Sequence, residues 1–322
     1  MANSSLIARI ARALSAADAL EALESRLPPT DLQSLLLHVF ARRSAQRGAA
    51  ELLGQYERSA MVRPGAVNAR ELLALEQAAY DCAPQFEAIE LAPVAPLGLN
   101  TVLGQIHQNN CLAAVRGVEV LADPTTVTAL ECARRRRAGQ RDDIRLCSRA
   151  RPLRLQPLAI PEFSPHFGLF SWVTAGRDRG DYRFELESVR EHLHCHLELL
   201  QRLAGLGYEV GEIAVEVSHT EREERRLAQV QQDVFGPLLE RHGTVSFALD
   251  RKREQARNYY SGLCLHIDVK TASGWFNLSD GGLTPWTQRL LSNRKERLMV
   301  SAMGIELIPK VLKRVAALRP SE

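Results

Sequence analysis

The spacing of apolar residues along this chain changes character part-way. After Pro28 and Pro29, the residues Leu32, Leu35, Leu36, Val39 and Phe40 recur at helical spacing and form one apolar stripe. Thr30 with Gln33 reads as a capping box at the start of that helix. The stretch from Met61 to Val67, with Pro64 and Gly65, reads as a linker. The pattern predicts a small helical domain over 1–66, used for packing or dimerisation, and a second domain over 67–322. Asn68 and Glu71 predict the cap of the next helix.

From Phe86 onward short β-branched, aromatic or alternating runs take over. They predict strands over 86–91, 118–121, 153–156, 166–174, 213–217, 244–249, 260–269, 275–278 and 298–302. Helices are expected over 124–137, 186–203 and 221–241, with last turns running to Leu318. Hairpin-like neighbours around 157–165 favour antiparallel pairing over a regular βαβ series. The expected fold class is therefore α+β: an antiparallel sheet flanked by helices, with a small helical N-terminal domain.

Composition narrows this picture without changing it. The chain has 322 residues, 45% hydrophobic and 25% charged, enough for a sizeable core. Its net charge of +3 does not demand a nucleic-acid partner. Six cysteines stand without a CxxC pair, which reads as reduced thiols packed as small apolar residues. No apolar run approaches the ~20 residues that span a bilayer. Arg9 and Arg12 interrupt the apolar residues where a signal peptide would need them unbroken. A cytoplasmic protein with no membrane partner is expected. With no GxGxxG and no GxxxxGK[ST] segment, neither a Rossmann fingerprint nor a P-loop is expected.

The stretch 151–170 carries the most chemistry. Residues two apart in a strand share a face, so Arg154 and Gln156 point one way and Leu153 and Leu155 the other. In a returning strand His166 and Phe170 would also share a face, with Gly168 between them keeping the surface open. Such a hairpin suits a polyphosphate with a flat base: a guanidinium forks onto phosphate oxygens and an aromatic ring stacks on the base.

Arg154, Gln156, His166 and Phe170, in that order, resemble motif 2 of the class II aminoacyl-tRNA synthetases. Other segments follow suit. The run 86–93, from Phe86 to Pro93, resembles motif 1, the dimer-interface strand. Leu121 to Thr126 resembles the histidyl-type segment that holds an amino acid's ammonium group, with Asp123 one place off and Thr126 in the threonine position. Asn258-Tyr259-Tyr260-Ser261-Gly262 resembles the histidyl Asp-Tyr-Tyr-Thr-Gly strand. Asp280-Gly281-Gly282 resembles the Gly-Gly turn that follows, and the run 300–307, ending in Glu306 and Leu307, resembles motif 3. The matches extend from about Phe86 to the end of the chain and lie closest to histidyl-tRNA synthetase and to the regulatory subunit of ATP phosphoribosyltransferase.

The resemblance implies a homodimer and an ATP site, with Mg2+ as its accompanying metal. Arg154 would meet the α-phosphate as the catalytic residue and His166 the distal phosphates. Gln156 and Glu306 would complete the nucleotide site, and Phe170 and Leu307 would sandwich adenine. Asp123, Thr126, Tyr259, Tyr260, Asp280, Gly281 and Gly282 would face the acid. The chain also departs from the family. Leu307 replaces the motif 3 arginine, and the histidine-activating arginine falls at Gln255, with Arg253 and Arg257 nearby. Leu283-Thr284-Pro285 replaces the residues that read an imidazole, and His266 stands where a metal-binding carboxylate would. These departures make histidine an unexpected substrate, and with the chain ending soon after motif 3 an anticodon-binding domain and unaided tRNA charging are not expected.

Other signals have plainer readings. Arg134 to Arg137 read as a solvated helix end whose cations complement the helix dipole. His192 and His196, one turn apart, have the spacing of a zinc pair, but the apolar stripe beside them favours packing without metal. Thr220 with Glu223 reads as a capping box, Asp280 as turn chemistry, and Trp172 and Trp275 as core aromatics. Three functions stay open: adenylation of a small amino or carboxylic acid by a ligase-like enzyme, a non-catalytic subunit that binds an amino acid or nucleotide and regulates a partner enzyme, and an RNA-binding accessory protein that holds tRNA through Arg42 and Arg43.

Overall fold

A computed structural model describes residues 2–13, 17–156, 163–251 and 259–315. At its centre is an eight-stranded sheet. Its strands are β1 (Glu87–Ala88), β2 (Ile144–Ala150), β3 (Leu169–Arg177), β4 (Ile213–His219), β5 (Ser246–Leu249), β6 (Leu263–Thr271), β7 (Gly274–Leu283) and β8 (Glu296–Met303). They run in the order β1-β2-β3-β8-β7-β6-β4-β5. The pairings are antiparallel except at the two edges, where β1 lies parallel to β2 and β5 parallel to β4. The α+β class is as expected. Among the described residues no helix is long and apolar enough to cross a membrane.

The sequence reading missed β2, and with it the true hairpin. β2 pairs with β3 from Ile144↔Ala175 to Ala150↔Leu169. The expected arms 153–156 and 166–174 meet only at one bridge, Leu153↔His166. The run 118–121 joins a separate three-stranded sheet. Asp280, Gly281 and Gly282 lie inside β7 and make no turn. Gly282 is required there by packing, since a Cβ would stand 2.6 Å from the Tyr260 ring.

Alternation along β3 sorts the core into two layers. Phe170 and Trp172 pack on one face with helices α1 (Ala69–Asp81) and α3 (Arg183–Arg202). Val173 and Ala175 pack on the other, with helix α2 (Pro124–Arg137) and Trp286. The α3 stripe of Phe184, Val189, Leu193, Leu197 and Leu200 is fully buried, and each such side chain contributes about 1.5–3 kcal/mol. Trp275, expected in the core, is 52% exposed beside Lys270.

Helix ends test the capping arguments. Asn68 accepts from the Arg70 N–H at 2.9 Å and caps as expected, and Asp123 caps its helix in the same way, accepting from the Thr125 N–H at 2.9 Å. Thr30 does not: its helix starts at Pro29 and has no side-chain cap. Thr220 instead accepts from the Gly262 N–H at 2.8 Å, and the following helix begins only at Glu224. Residues 313–314 pair as a strand with 208–209, and the turns expected near Leu318 lie outside the described residues.

Between Ala2 and Arg58 the helices Pro29–Ser44 and Ala49–Arg58 bury no residue, and Phe40 and Leu53 are exposed. The segment after them is tied down: the Arg63 carbonyl accepts from His166 Nε2 at 2.7 Å.

Two buried polar arrangements hold the layers. Arg136 is no solvated helix end. Its side chain is 3% exposed, meets Glu296 at 3.0 Å and donates to the carbonyls of Gln140 and Arg141. On the other face His192 and His196 join three strands through hydroxyls. His192 meets Thr174 at 2.9 Å and Ser301 at 2.8 Å. His196 meets Ser301 at 2.9 Å and Ser279 at 3.1 Å. Burial pushes His196 down to about 3. Burial, and then the neighbouring His196, hold His192 well below its usual value. Both rings are neutral, so each offers one donor and one acceptor to the chain. All six cysteines are buried and none forms a disulfide.

The histidines make stability pH-dependent in one direction. Their pKa values are lowered by folding, so their contribution is complete above the ordinary value of 6.5 and is lost as pH falls below it, for His196 down to about 3. Each costs about 1.4 kcal/mol per pH unit in that window. Denaturant unfolding across the window checks this: the double variant His192→Gln/His196→Gln should show a clearly shallower slope, and an unchanged slope would refute the assignment. Arg136→Met should destabilise by about 3–5 kcal/mol, because Glu296 is left buried without its main partner. The same unfolding measurement in Glu296→Gln/Arg136→Met should recover a large part of that loss.

Candidate functional site

A cavity of about 480 Å³ opens on the α2 face of the sheet. Backbone hydrogen bonds assemble its rim. The Leu153 N–H donates to the Leu121 carbonyl at 2.8 Å and the Arg154 N–H to the Pro165 carbonyl at 2.8 Å. The segment carrying Arg154 is thereby laid beside the N-terminus of α2. Arg154 Nε donates to the Ala122 carbonyl at 2.8 Å, and a terminal nitrogen lies 3.5 Å from Asp123 Oδ2. The guanidinium sits over the Phe167 ring, 5.5 Å from its centroid.

Asp123 links the site together. Oδ1 accepts from the Thr125 hydroxyl at 2.7 Å as well as from its N–H, and Oδ2 accepts from the Tyr259 phenol at 3.0 Å. Burial, and then the Asp123 carboxylate, push the Tyr259 pKa well up, so the phenol keeps its proton and donates. Tyr259 packs edge-on against Tyr260 and Trp286. Gln156, Tyr260, Asp280 and Leu307 also line the cavity.

Other expected site residues do not reach it. Phe170 is fully buried on the opposite face, with its ring centroid 4.7 Å from those of Tyr80 and Trp172. The cavity-facing residues of this segment are Phe167 and Leu169. A one-residue change of register moves a whole strand to its other face, which is why the expected pair His166 and Phe170 both miss the cavity that Phe167 and Leu169 line. His166 accepts from Arg151 Nε at 2.9 Å and donates to the Arg63 carbonyl, away from the cavity. Glu306 is 1% exposed and held by Arg151 at 2.7 Å and by the Gly168 N–H at 2.9 Å. Burial opposes its ionisation, but hydrogen bonds from Lys310 and Gly168 outweigh that and hold its pKa below the usual value. Gly168 is small so that the 305–306 segment can approach: a Cβ there would stand 3.2 Å from Ile305 and Glu306.

Thr126 is also turned away. It is fully buried and donates to the Asp123 carbonyl at 2.8 Å, which leaves Thr125 as the threonine at the cavity. Gly281 and Gly282 serve close strand packing instead of lining the site. His266 lies 3.1 Å from Asp268. Arg253, Gln255, Arg257 and Asn258 lie outside the described residues. Sequence reasoning missed Phe163, Phe167, Thr125 and Asn277 at the cavity. The two phenylalanines, four apart in the loop and its exit, are the signal that could have found them.

No protein-family model matches the sequence, and no curated protein matches it. Solved structures do. An ATP phosphoribosyltransferase regulatory subunit/histidyl-tRNA synthetase from Bacillus halodurans C aligns with a TM-score of 0.60 at 12% identity, over 78% of this chain and 82% of that one. The histidine–tRNA ligase subunit of Alicyclobacillus acidocaldarius aligns at 0.56 and 12% identity, over 76% and 95%. Apo S. aureus histidyl-tRNA synthetase aligns at 0.55 and 12% identity, over 75% of this chain and only 64% of its own. By its architecture, then, this chain has the class II aminoacyl-tRNA synthetase-like fold, in the form that histidyl-tRNA synthetase and the ATP phosphoribosyltransferase regulatory subunit share.

Proposed function

We propose that the protein is a non-catalytic member of this fold that binds a small amino acid in its cavity and passes that occupancy to a partner protein. The observation that carries this is the charge of the lining. Among the described lining residues, Arg154 is the one cation, against the carboxylates of Asp123 and Asp280. That balance suits a zwitterion. Asp123, already oriented by Tyr259 and Thr125, would accept from an ammonium group, and Arg154 would face the carboxylate. Phe167 and Leu307 would flank the side chain.

The same lining does not fit a nucleoside triphosphate. His166 and Glu306, which the resemblance assigns to ATP, are spent in contacts with Arg63, Arg151 and Gly168. Phe170 lies on the wrong face and a leucine stands in place of the motif 3 arginine. His266 stands where the resemblance puts a metal-binding carboxylate. Adenylation retains one supporting feature, the guanidinium of Arg154 stacked on Phe167. The Bacillus halodurans neighbour, whose name couples a regulatory subunit with a synthetase, supports a partner enzyme as the receiver, with a homodimer as its companion state.

Calorimetry with a panel of amino acids should find one that binds. Asp123→Asn should weaken it about tenfold or more, the worth of a charge-assisted hydrogen bond, while leaving the fold intact by thermal melting. ATP–pyrophosphate exchange should be absent with every acid. Exchange that appears with one acid and disappears in Arg154→Ala would overturn the non-catalytic reading and establish adenylation.

A further inference from the structure

Away from the cavity, α3 carries a second set of polar side chains on another face. His194 and Glu198 are one turn apart on α3. Opposite them stands His242, which ends helix α4 (Gly236–Arg241) and is 1% exposed. His242 is fixed from both sides of the chain: its N–H donates to the Leu238 carbonyl at 2.7 Å, and its carbonyl accepts from the Val245 N–H at 3.0 Å. This places His242 Nε2 3.2 Å from His194 Nδ1. Glu198 Oε1 lies 3.9 Å from the same His194 nitrogen. One ligand atom from each residue falls within 4.8 Å of the others.

These separations have a specific chemical meaning. Tetrahedral zinc with bonds of about 2.0–2.1 Å holds its ligand atoms about 3.3 Å apart. The two imidazole nitrogens already stand at that spacing, and the carboxylate needs to move by no more than about the length of one side-chain bond. Glu198 now also meets Arg241 at 3.2 Å, but Arg241 is 62% exposed and free to swing into solvent. The outer contact of His242 is in place as well: its Nδ1 lies 2.9 Å from the Gln201 amide nitrogen. Turning that amide over would let Nδ1–H donate to the amide oxygen, the arrangement that orients a metal-bound histidine.

We propose that His194 Nδ1, Glu198 and His242 Nε2 form a Zn2+ site with an open fourth position. His194 also lines a cleft of about 340 Å³ whose wall carries Glu187 and Glu191 as well as Arg145, Arg190 and Arg241, so the fourth position would open to water or an anion. Its place differs from the zinc pair suggested by sequence spacing. His192 and His196 face the sheet and are occupied by hydroxyls, while His194, between them, faces α4.

The test uses the full chain without a histidine tag, stripped with chelator and then titrated with Zn2+ against a chromogenic chelator. One equivalent per chain is expected. His194→Gln and Glu198→Gln should each weaken binding about tenfold or more while melting as the parent does, and His38→Gln, on an exposed N-terminal helix, should bind as the parent. Cobalt in place of zinc should give the visible absorption of a tetrahedral site, and the same variants should lose it. No Zn2+ uptake, or uptake that neither variant weakens, would overturn the assignment. His242 is left unchanged because it is buried and its replacement would confuse folding with binding.

Discussion

The alternation of β3 governs the rest of the structure. Each residue of that strand must face either α3 or α2, and its neighbours fix which. Trp172 packs its ring against His196, with centroids 4.5 Å apart, and Phe170 packs beside it. Those two side chains commit the even-numbered face to the α3 layer. Leu169 and Val173 are then left to the α2 face, and Leu169 reaches the cavity. β8 obeys the same rule beside it: Met299 and Met303 go to one layer, Leu298 and Val300 to the other. The cavity exists because this face of the sheet is covered by α2 and Trp286 without being filled.

Much of the fold could be read from period and composition, because those are what decide burial. The α2 and α3 helices, the Asn68 and Asp123 caps and most of the strands follow from local pattern. β2 did not, since Ile144-Arg-Leu-Cys-Ser-Arg-Ala mixes two arginines into a short run, and the first of them, Arg145, leaves the core for Glu191 at 2.8 Å. The site was only partly legible for a related reason. Arg154, Asp123, Tyr259 and Asp280 could be picked out by residue type and order. Which face each neighbour takes is a question of strand register, and no residue between 157 and 166 announces where the exit strand begins. The strand begins at Leu169 and not at 166, and its odd-numbered side faces the cavity, so Phe167 and Leu169 stand where Phe170 was expected. Reading the 121–126 segment one place late exchanged Thr125 for Thr126.

Residues can match a motif and yet be held by the scaffold. Glu306, Arg151, His166 and Gly168 form one network that ties the segment after β8 to the entrance of β3 and, through the Arg63 carbonyl, to the chain that precedes α1. A carboxylate 1% exposed and bound by two cationic side chains is stable there because its neighbours replace the water it lost. Releasing it toward a ligand would strand Arg151 and open the junction. The order of residues along the chain therefore follows the fold, and the chemistry follows only those side chains that point into the cavity.

That distinction separates a pocket for phosphates from a pocket for a zwitterion. Charge in an enclosed site is costly unless it is matched, so the lining records the charge of what it holds. A triphosphate asks for several cations converging on one wall. Here the guanidinium of Arg154 is already drawn toward Asp123 and the Ala122 carbonyl, and Asp280 adds a second carboxylate on the floor. A ligand with one positive and one negative end, a few ångströms apart, satisfies both without importing further charge. The orientation of Asp123 by Tyr259 and Thr125 fixes where the positive end goes before any ligand arrives, which reduces the ordering that binding would otherwise require.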